Sequence, residues 1–115
     1  MVDIEFARRF ADDWVETWNR RDINTVMTFY RDDFELTSPF IRTPGKTLQG
    51  KAVIRAYWEK GLEMIPDLFM ELNYVTVGVN MVSLCYQTAG DRTAIETFFF
   101  DADGKISREI VGYDI

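Results

Sequence analysis

The chain has 115 residues, 47% of them hydrophobic and 15% aromatic, with 13 basic and 19 acidic side chains, a net charge of −6, one cysteine and no histidine. This length suits one domain over residues 1–115 with its own core, and the apolar content argues against disorder. An acidic balance without a local Lys/Arg cluster disfavours a phosphate-binding surface and argues against nucleic acid as a partner; lack of histidine excludes Ser-His-Asp and Cys-His nucleophile systems and His-based metal sites.

The opening MVDIEFARRF lacks the basic head and apolar run of a signal peptide. No stretch nears the ~18 apolar residues of a membrane span, and the lone Cys85 has no internal partner. A cytoplasmic protein without membrane association is the expectation.

Asp3 to about Arg20 reads as an amphipathic helix. Phe6, Phe10, Trp14 and Trp18 recur every four residues, with Ala7, Ala11 and Val15 widening the stripe. Asn19 to Asp22 breaks it, and Asp22 is a good N-cap for a short second helix carrying Ile23, Val26, Met27, Phe29 and Tyr30. Arg31-Asp32-Asp33 reads as a turn. Phe34 to Ser38 alternates as a short strand stopped by Pro39, and Pro39 to Gln49 reads as an irregular loop. Gly50 begins a third helix, Lys51 to about Ile65, with Ile54, Tyr57, Trp58, Leu62 and Ile65 on its buried side.

The remainder reads as sheet. Leu68–Val77, Met81–Thr88, Thr93–Asp101 and Ile106–Asp114 are joined by connections so short that neighbours must run antiparallel, as a four-strand meander. Helices first and sheet second predict an α+β domain with the helices on one sheet face. The other face is also rather apolar. A symmetric homodimer through that face is the expectation, and a solvated face with scattered hydrophobes the alternative. Cys85 is expected on the dimer side, as an inert thiol.

One carboxylate interrupts the most apolar strand, TAIETFFFD. Alternation places Glu96 with Ala94, Phe98 and Phe100 on one face. Desolvation raises a carboxyl pKa, so an acid there can be held neutral as a donor or poised as a base. The plainer reading is a Glu satisfied by Tyr, Trp or Arg, with Tyr86 and Tyr57 as candidate donors. The acid pairs Asp12-Asp13, Asp32-Asp33 and Asp101/Asp103 are better explained by helix surface and turn chemistry than by a metal site.

Several segments together resemble the nuclear transport factor 2-like superfamily, in particular its SnoaL-like and ketosteroid-isomerase-like branches. They are WNRRDI, FYRDDFELTSP, LQGKAVIRAYW and FFFDADGKISREI. The resemblance implies a cone-shaped α+β fold, in which three N-terminal helices pack on a strongly curved antiparallel sheet around an apolar pocket. By the same resemblance the isomerase base matches Ser38, a phenolic oxyanion donor matches Trp14, and a second, carboxylic donor matches Glu96. Two of those three positions lack the expected chemistry, so the isomerase mechanism is not carried over.

The expected site has Glu96 as acid/base, lined by Trp14, Trp18, Tyr30, Ser38, Tyr57, Trp58, Phe98 and Tyr113. The expected ligand is a small hydrophobic or aromatic molecule, with no cofactor and no metal. Isomerisation, cyclisation or dehydration is one reading; a non-catalytic binding or dimerisation module is the other.

Overall fold

In the computed structural model, which describes residues 2–114, the chain runs α1 (Ile4–Asn19), α2 (Ile23–Met27), β1 (Tyr30–Thr37), β2 (Thr47–Gln49), α3 (Lys51–Met64), β3 (Glu71–Gly78), β4 (Met81–Thr88), β5 (Arg92–Phe100) and β6 (Ile106–Tyr113). Positions 1 and 115, which the single-domain expectation includes, lie outside the described residues.

Helix α1 begins where Asp3 offers an acceptor: its Oδ1 takes the Phe6 N–H at 2.8 Å, satisfying a donor that the first turn leaves free. The four-residue recurrence then buries Ala7, Phe10, Ala11, Trp14, Val15 and Trp18 on one side. Phe10 and Trp14 lie 4.9 and 5.0 Å, ring centre to ring centre, from Phe98 of β5, which seats α1 across the middle of the sheet. Burying each such side chain contributes roughly 1.5–3 kcal/mol.

Asp22 caps α2 as the sequence indicates, accepting from the Thr25 N–H at 3.1 Å and its hydroxyl at 2.6 Å. The helix stops at Met27, however, and Tyr30 opens β1 instead of closing α2. Pairing of Tyr30 with Ile106 of β6 is a long-range contact that local pattern does not reveal. Arg31-Asp32-Asp33 is likewise no turn. Positions 30 to 35 of β1 face positions 106 to 108 of β6, so the three residues sit in a bulge.

The expected loop from Pro39 to Gln49 contains a strand, β2, which folds back on β1 with Thr37 opposite Thr47. At three residues it is too short to show alternation. The next residue, Gly50, holds a φ of 96°, a region a Cβ resists, and its N–H bonds to the Phe34 carbonyl at 2.8 Å. That turn aims α3 back over β1. Ile65, expected on the buried side, lies past the helix end and is 40% exposed.

The sheet order is β2-β1-β6-β5-β4-β3. The β3 to β6 meander is antiparallel throughout, as the short connections require. One pairing departs from the antiparallel expectation: β1 runs parallel to β6, so the sheet is mixed. No hairpin joins those two strands, so the connection-length argument does not govern them. The edges β2 and β3 do not meet, leaving the sheet open, and register shifts in the β1–β6, β3–β4 and β5–β6 pairs bend it.

Candidate active site in the core

Pairing register places the decisive side chains. Leu84, Glu96 and Val111 stand in one row across β4, β5 and β6, with Val82, Phe98 and Glu109 in the adjacent row. All are beneath the helices. Glu96 and Glu109 are therefore diagonal neighbours on adjacent strands, at a separation that long side chains bridge. Glu109 is 0% and Glu96 5% exposed.

Each acid has its own phenol. The Tyr86 hydroxyl donates to Glu96 Oε1 at 2.5 Å, and the Tyr30 hydroxyl donates to Glu109 Oε1 at 2.5 Å. Tyr30 in turn accepts from the Trp14 indole N–H at 2.9 Å. The result is two short polar chains, Trp14–Tyr30–Glu109 and Tyr86–Glu96, which meet where the two carboxyls are diagonal neighbours, among Phe10, Phe34 and Phe98. Among the described residues no Lys or Arg forms an ion pair with either carboxyl. Glu109 Oε2 is buried with no donor directed at it, and the Trp18 indole N–H is buried with no acceptor.

The electrostatics follow from this enclosure. Burial pushes the Glu109 carboxyl well above the usual carboxylate range, and the neighbouring Glu96 adds to the effect. Burial also raises Glu96, against which its contact with Glu109 and the Tyr86 hydrogen bond act. Tyr30 and Tyr86 are pushed well above the usual phenol range, by burial first and then by Glu109 and Glu96 respectively. Each phenol is thus a fixed donor.

The remaining expected lining divides in two. Trp18 stacks edge-on against Trp58 at 5.1 Å, and Trp58 reaches Tyr30 at 5.4 Å, closing the core under α3. Ser38 is buried, and its hydroxyl accepts from the Phe40 N–H at 3.3 Å, a turn-forming role. Tyr57 and Tyr113 are half-buried. Burial raises both phenols; Ser38 lowers Tyr57 by a hydrogen bond, and the Glu96 charge raises both. Phe40 stacks on Tyr113 at 4.9 Å, and the Arg92 guanidinium lies 5.4 Å from the Phe40 ring centre. Ser38, Phe40, Tyr57, Arg92 and Tyr113 thus form a contiguous rim, of which Tyr57 and Tyr113 feel the Glu96 charge.

Sequence reading found Glu96 and named Tyr86 as a donor. It missed Glu109 and the hydrogen-bonding role of Tyr30. A signal for Glu109 existed, since alternation through Val111 and Tyr113 puts it on their face. The competing alternation through Ile106 and Ile110 obscured it. The shift between Phe99 and Phe100 lets Ile106 and Glu109 both be buried.

Two surface concavities lie elsewhere. One of about 150 Å³ is bordered by Phe6, Arg9, Phe29 and Lys105, and a shallower one follows Ala56, Lys60 and Met64 on the outer side of α3. Neither borders Glu96 or Glu109. Among the described residues no three acidic or cysteine side chains gather as a metal site.

Three helices laid on one face of an open, bulged, mixed sheet, with polar groups buried between the layers, define the nuclear transport factor 2-like α+β class of the expected cone. The model of the SnoaL-like domain matches residues 11–109, and the chain belongs to that family. A SnoaL-like protein of unknown function from Burkholderia thailandensis is 34% identical over the whole of both chains, with a TM-score of 0.96. SalBIII, an epoxide hydrolase/cyclase-like enzyme of pyran ring formation in the polyether salinomycin, is 13% identical. The match covers 100% of this chain and 95% of SalBIII, with a TM-score of 0.80. IdmH from Streptomyces antibioticus, a candidate polyketide cyclase, is 14% identical over 94% of this chain and 91% of its own, with a TM-score of 0.78. Among curated proteins no relative was found.

Proposed function

We propose that the chain, as one SnoaL-like domain, binds a small apolar or aromatic molecule at the rim formed by Ser38, Tyr57 and Tyr113 and performs acid–base chemistry on it with Glu96, without a cofactor. The observation carrying this reading is a carboxyl buried beside a second carboxyl, held by a phenol and answered by no cation. Burying such a group is costly. A structural role is served more cheaply by an apolar residue, and perturbed acids of this kind concentrate at functional sites. Isomerisation, aldol-type cyclisation and dehydration share a proton transfer next to a carbonyl, which a single raised carboxyl can perform. Likeness to SalBIII and IdmH supports the same class.

The test is exchange of the α-protons of an aromatic ketone such as 2-tetralone in heavy water. Wild-type protein should accelerate it, and Glu96→Gln should lose at least ~100-fold of that acceleration, as expected for removal of a general base. Equal rates for the two proteins, both folded, would sink the proposal.

A second reading is a non-catalytic module. The packing favours it at one point: Trp14, Trp18, Trp58, Tyr30 and Phe34 fill the interior against one another. Under either reading we propose a homodimer through the outer sheet face. Tyr74, Cys85, Ile95 and Ile110 stand there, with Tyr74 59% and Ile95 53% exposed.

A further inference from the structure

We infer that Glu96 and Glu109 form one proton-sharing unit that keeps a single proton at neutral pH, with Glu109 the positioning residue that holds this proton against Glu96. The use of the unit in turnover rests on the acid–base reading above; its existence does not.

Counting hydrogens along the two buried chains leads there. Four carboxyl oxygens face two phenolic hydrogens, from Tyr86 of β4 and Tyr30 of β1, each directed at one Oε1. The Tyr30 hydroxyl already accepts from Trp14 of α1, so its own hydrogen is committed to Glu109. Other titratable groups facing the pair are Tyr57 of α3 and Tyr113 of β6, both acted on by the Glu96 charge. Arg92, at the start of β5, is a cation that acts on Tyr113. None of these neutralises two buried negative charges on adjacent strands, so the doubly ionised pair is excluded.

Two ionised carboxylates are both acceptors and repel. One proton on Glu109 Oε2, the buried oxygen with no donor of its own, turns the contact into a hydrogen bond to Glu96. Glu96 then carries the charge, served by two donors, the Tyr86 hydroxyl and the Glu109 hydroxyl. A second proton would have to reside on Glu96, where it would remove the charge that the Tyr86 and Glu109 hydroxyls both serve. One proton is the number that leaves every hydrogen placed.

Infrared spectroscopy of the whole protein in heavy water decides this without any substrate. At neutral pD the wild type should show the carbonyl band of one protonated buried carboxyl, and Glu109→Gln, whose amide can still accept from Tyr30 and donate to Glu96, should lose it. No acid band in the wild type, intensity for two, or a band surviving in Glu109→Gln would each overturn the inference. If Glu109→Gln does not fold, the wild-type titration still decides: intensity equal to one carboxyl must disappear as pH is raised through neutrality and above. In the exchange assay, Glu109→Gln should shift the pH–rate profile as well as lower the rate. A purely structural Glu109 would leave the profile's midpoint in place. An acid band with no exchange activity would refute the functional reading alone, and exchange without the band would refute this inference alone.

Discussion

Unfolded and solvated, Glu96 and Glu109 lose their protons near a pKa of about 4.3. Folded, the two are held above that range by burial, Glu109 the more strongly. The folded state therefore binds more protons than the unfolded state from about pH 4.3 upward, until the folded pair itself deprotonates. The sign is opposite to that of a salt-bridged carboxylate. Stability from this pair is complete at the acid side of the window and falls as pH rises, by about 1.4 kcal/mol per pH unit for each proton retained. Urea denaturation at pH steps from 5 to 8 should show this decline in the wild type and a flatter profile in Glu109→Gln. Parallel profiles for the two proteins would count against a shared proton. The same residues explain why this site was only half legible in the sequence. Glu96 stands out because everything around it in TAIETFFFD is apolar, whereas Glu109 sits beside Arg108 in a segment that reads equally well in either alternation.

Elements are tied together by a few polar contacts whose removal should be felt unequally. At the end of α1, the Asn19 side chain donates to the Met70 carbonyl and accepts from the Met70 N–H, both at 2.8 Å, fixing the chain as it enters β3. Met70 is buried, so Asn19→Ala leaves both backbone groups without partners. A loss of about 1–3 kcal/mol is expected, read as a lower urea midpoint with unchanged slope. The Arg20–Glu16 pair one turn away is the control. Its side chains are 52% and 68% exposed, and Arg20→Ala should cost about 0.5 kcal/mol or less. The helix starts were largely legible, because caps and periodicity are local: Asp22 caps α2 and Gly50 precedes α3 as the sequence indicates, while Asp3, read as the first helical residue, caps α1 from just outside it. The element that escaped, β2, is a strand only because β1 pairs with it. Tyr30 changed from helix to strand for the same kind of reason, a partner in β6 far along the chain.

For the whole molecule, the outer sheet face sets the next question. Tyr74, Cys85 and Ile95 lie in one row across β3, β4 and β5, with Ile110 on the same side of β6. If this face joins two copies, Ile95→Asp places two like charges near a symmetry axis and should convert the dimer to a folded monomer in analytical ultracentrifugation. A wild type that sediments as a monomer at tens of micromolar would remove the dimer proposal. A cone of this kind also explains why the polar chains are so well enclosed. α1 covers the sheet centre through Phe10 and Trp14, and α3 closes one side through Trp58.

Local sequence was enough for the layered α+β architecture, the antiparallel meander, the Asp22 cap, and Glu96 as an acid on an apolar face. Each follows from residues close in sequence, whose period, turn chemistry and connection length leave few alternatives. The parallel β1–β6 pairing, the reassignment of Tyr30 and the meeting of Glu109 with Glu96 emerge only in three dimensions. Those depend on strand register and on bulges between segments distant in the chain, and a slip of one residue would send Glu109 to the opposite face of the sheet. The chemistry proposed here therefore hangs on register as much as on residue type.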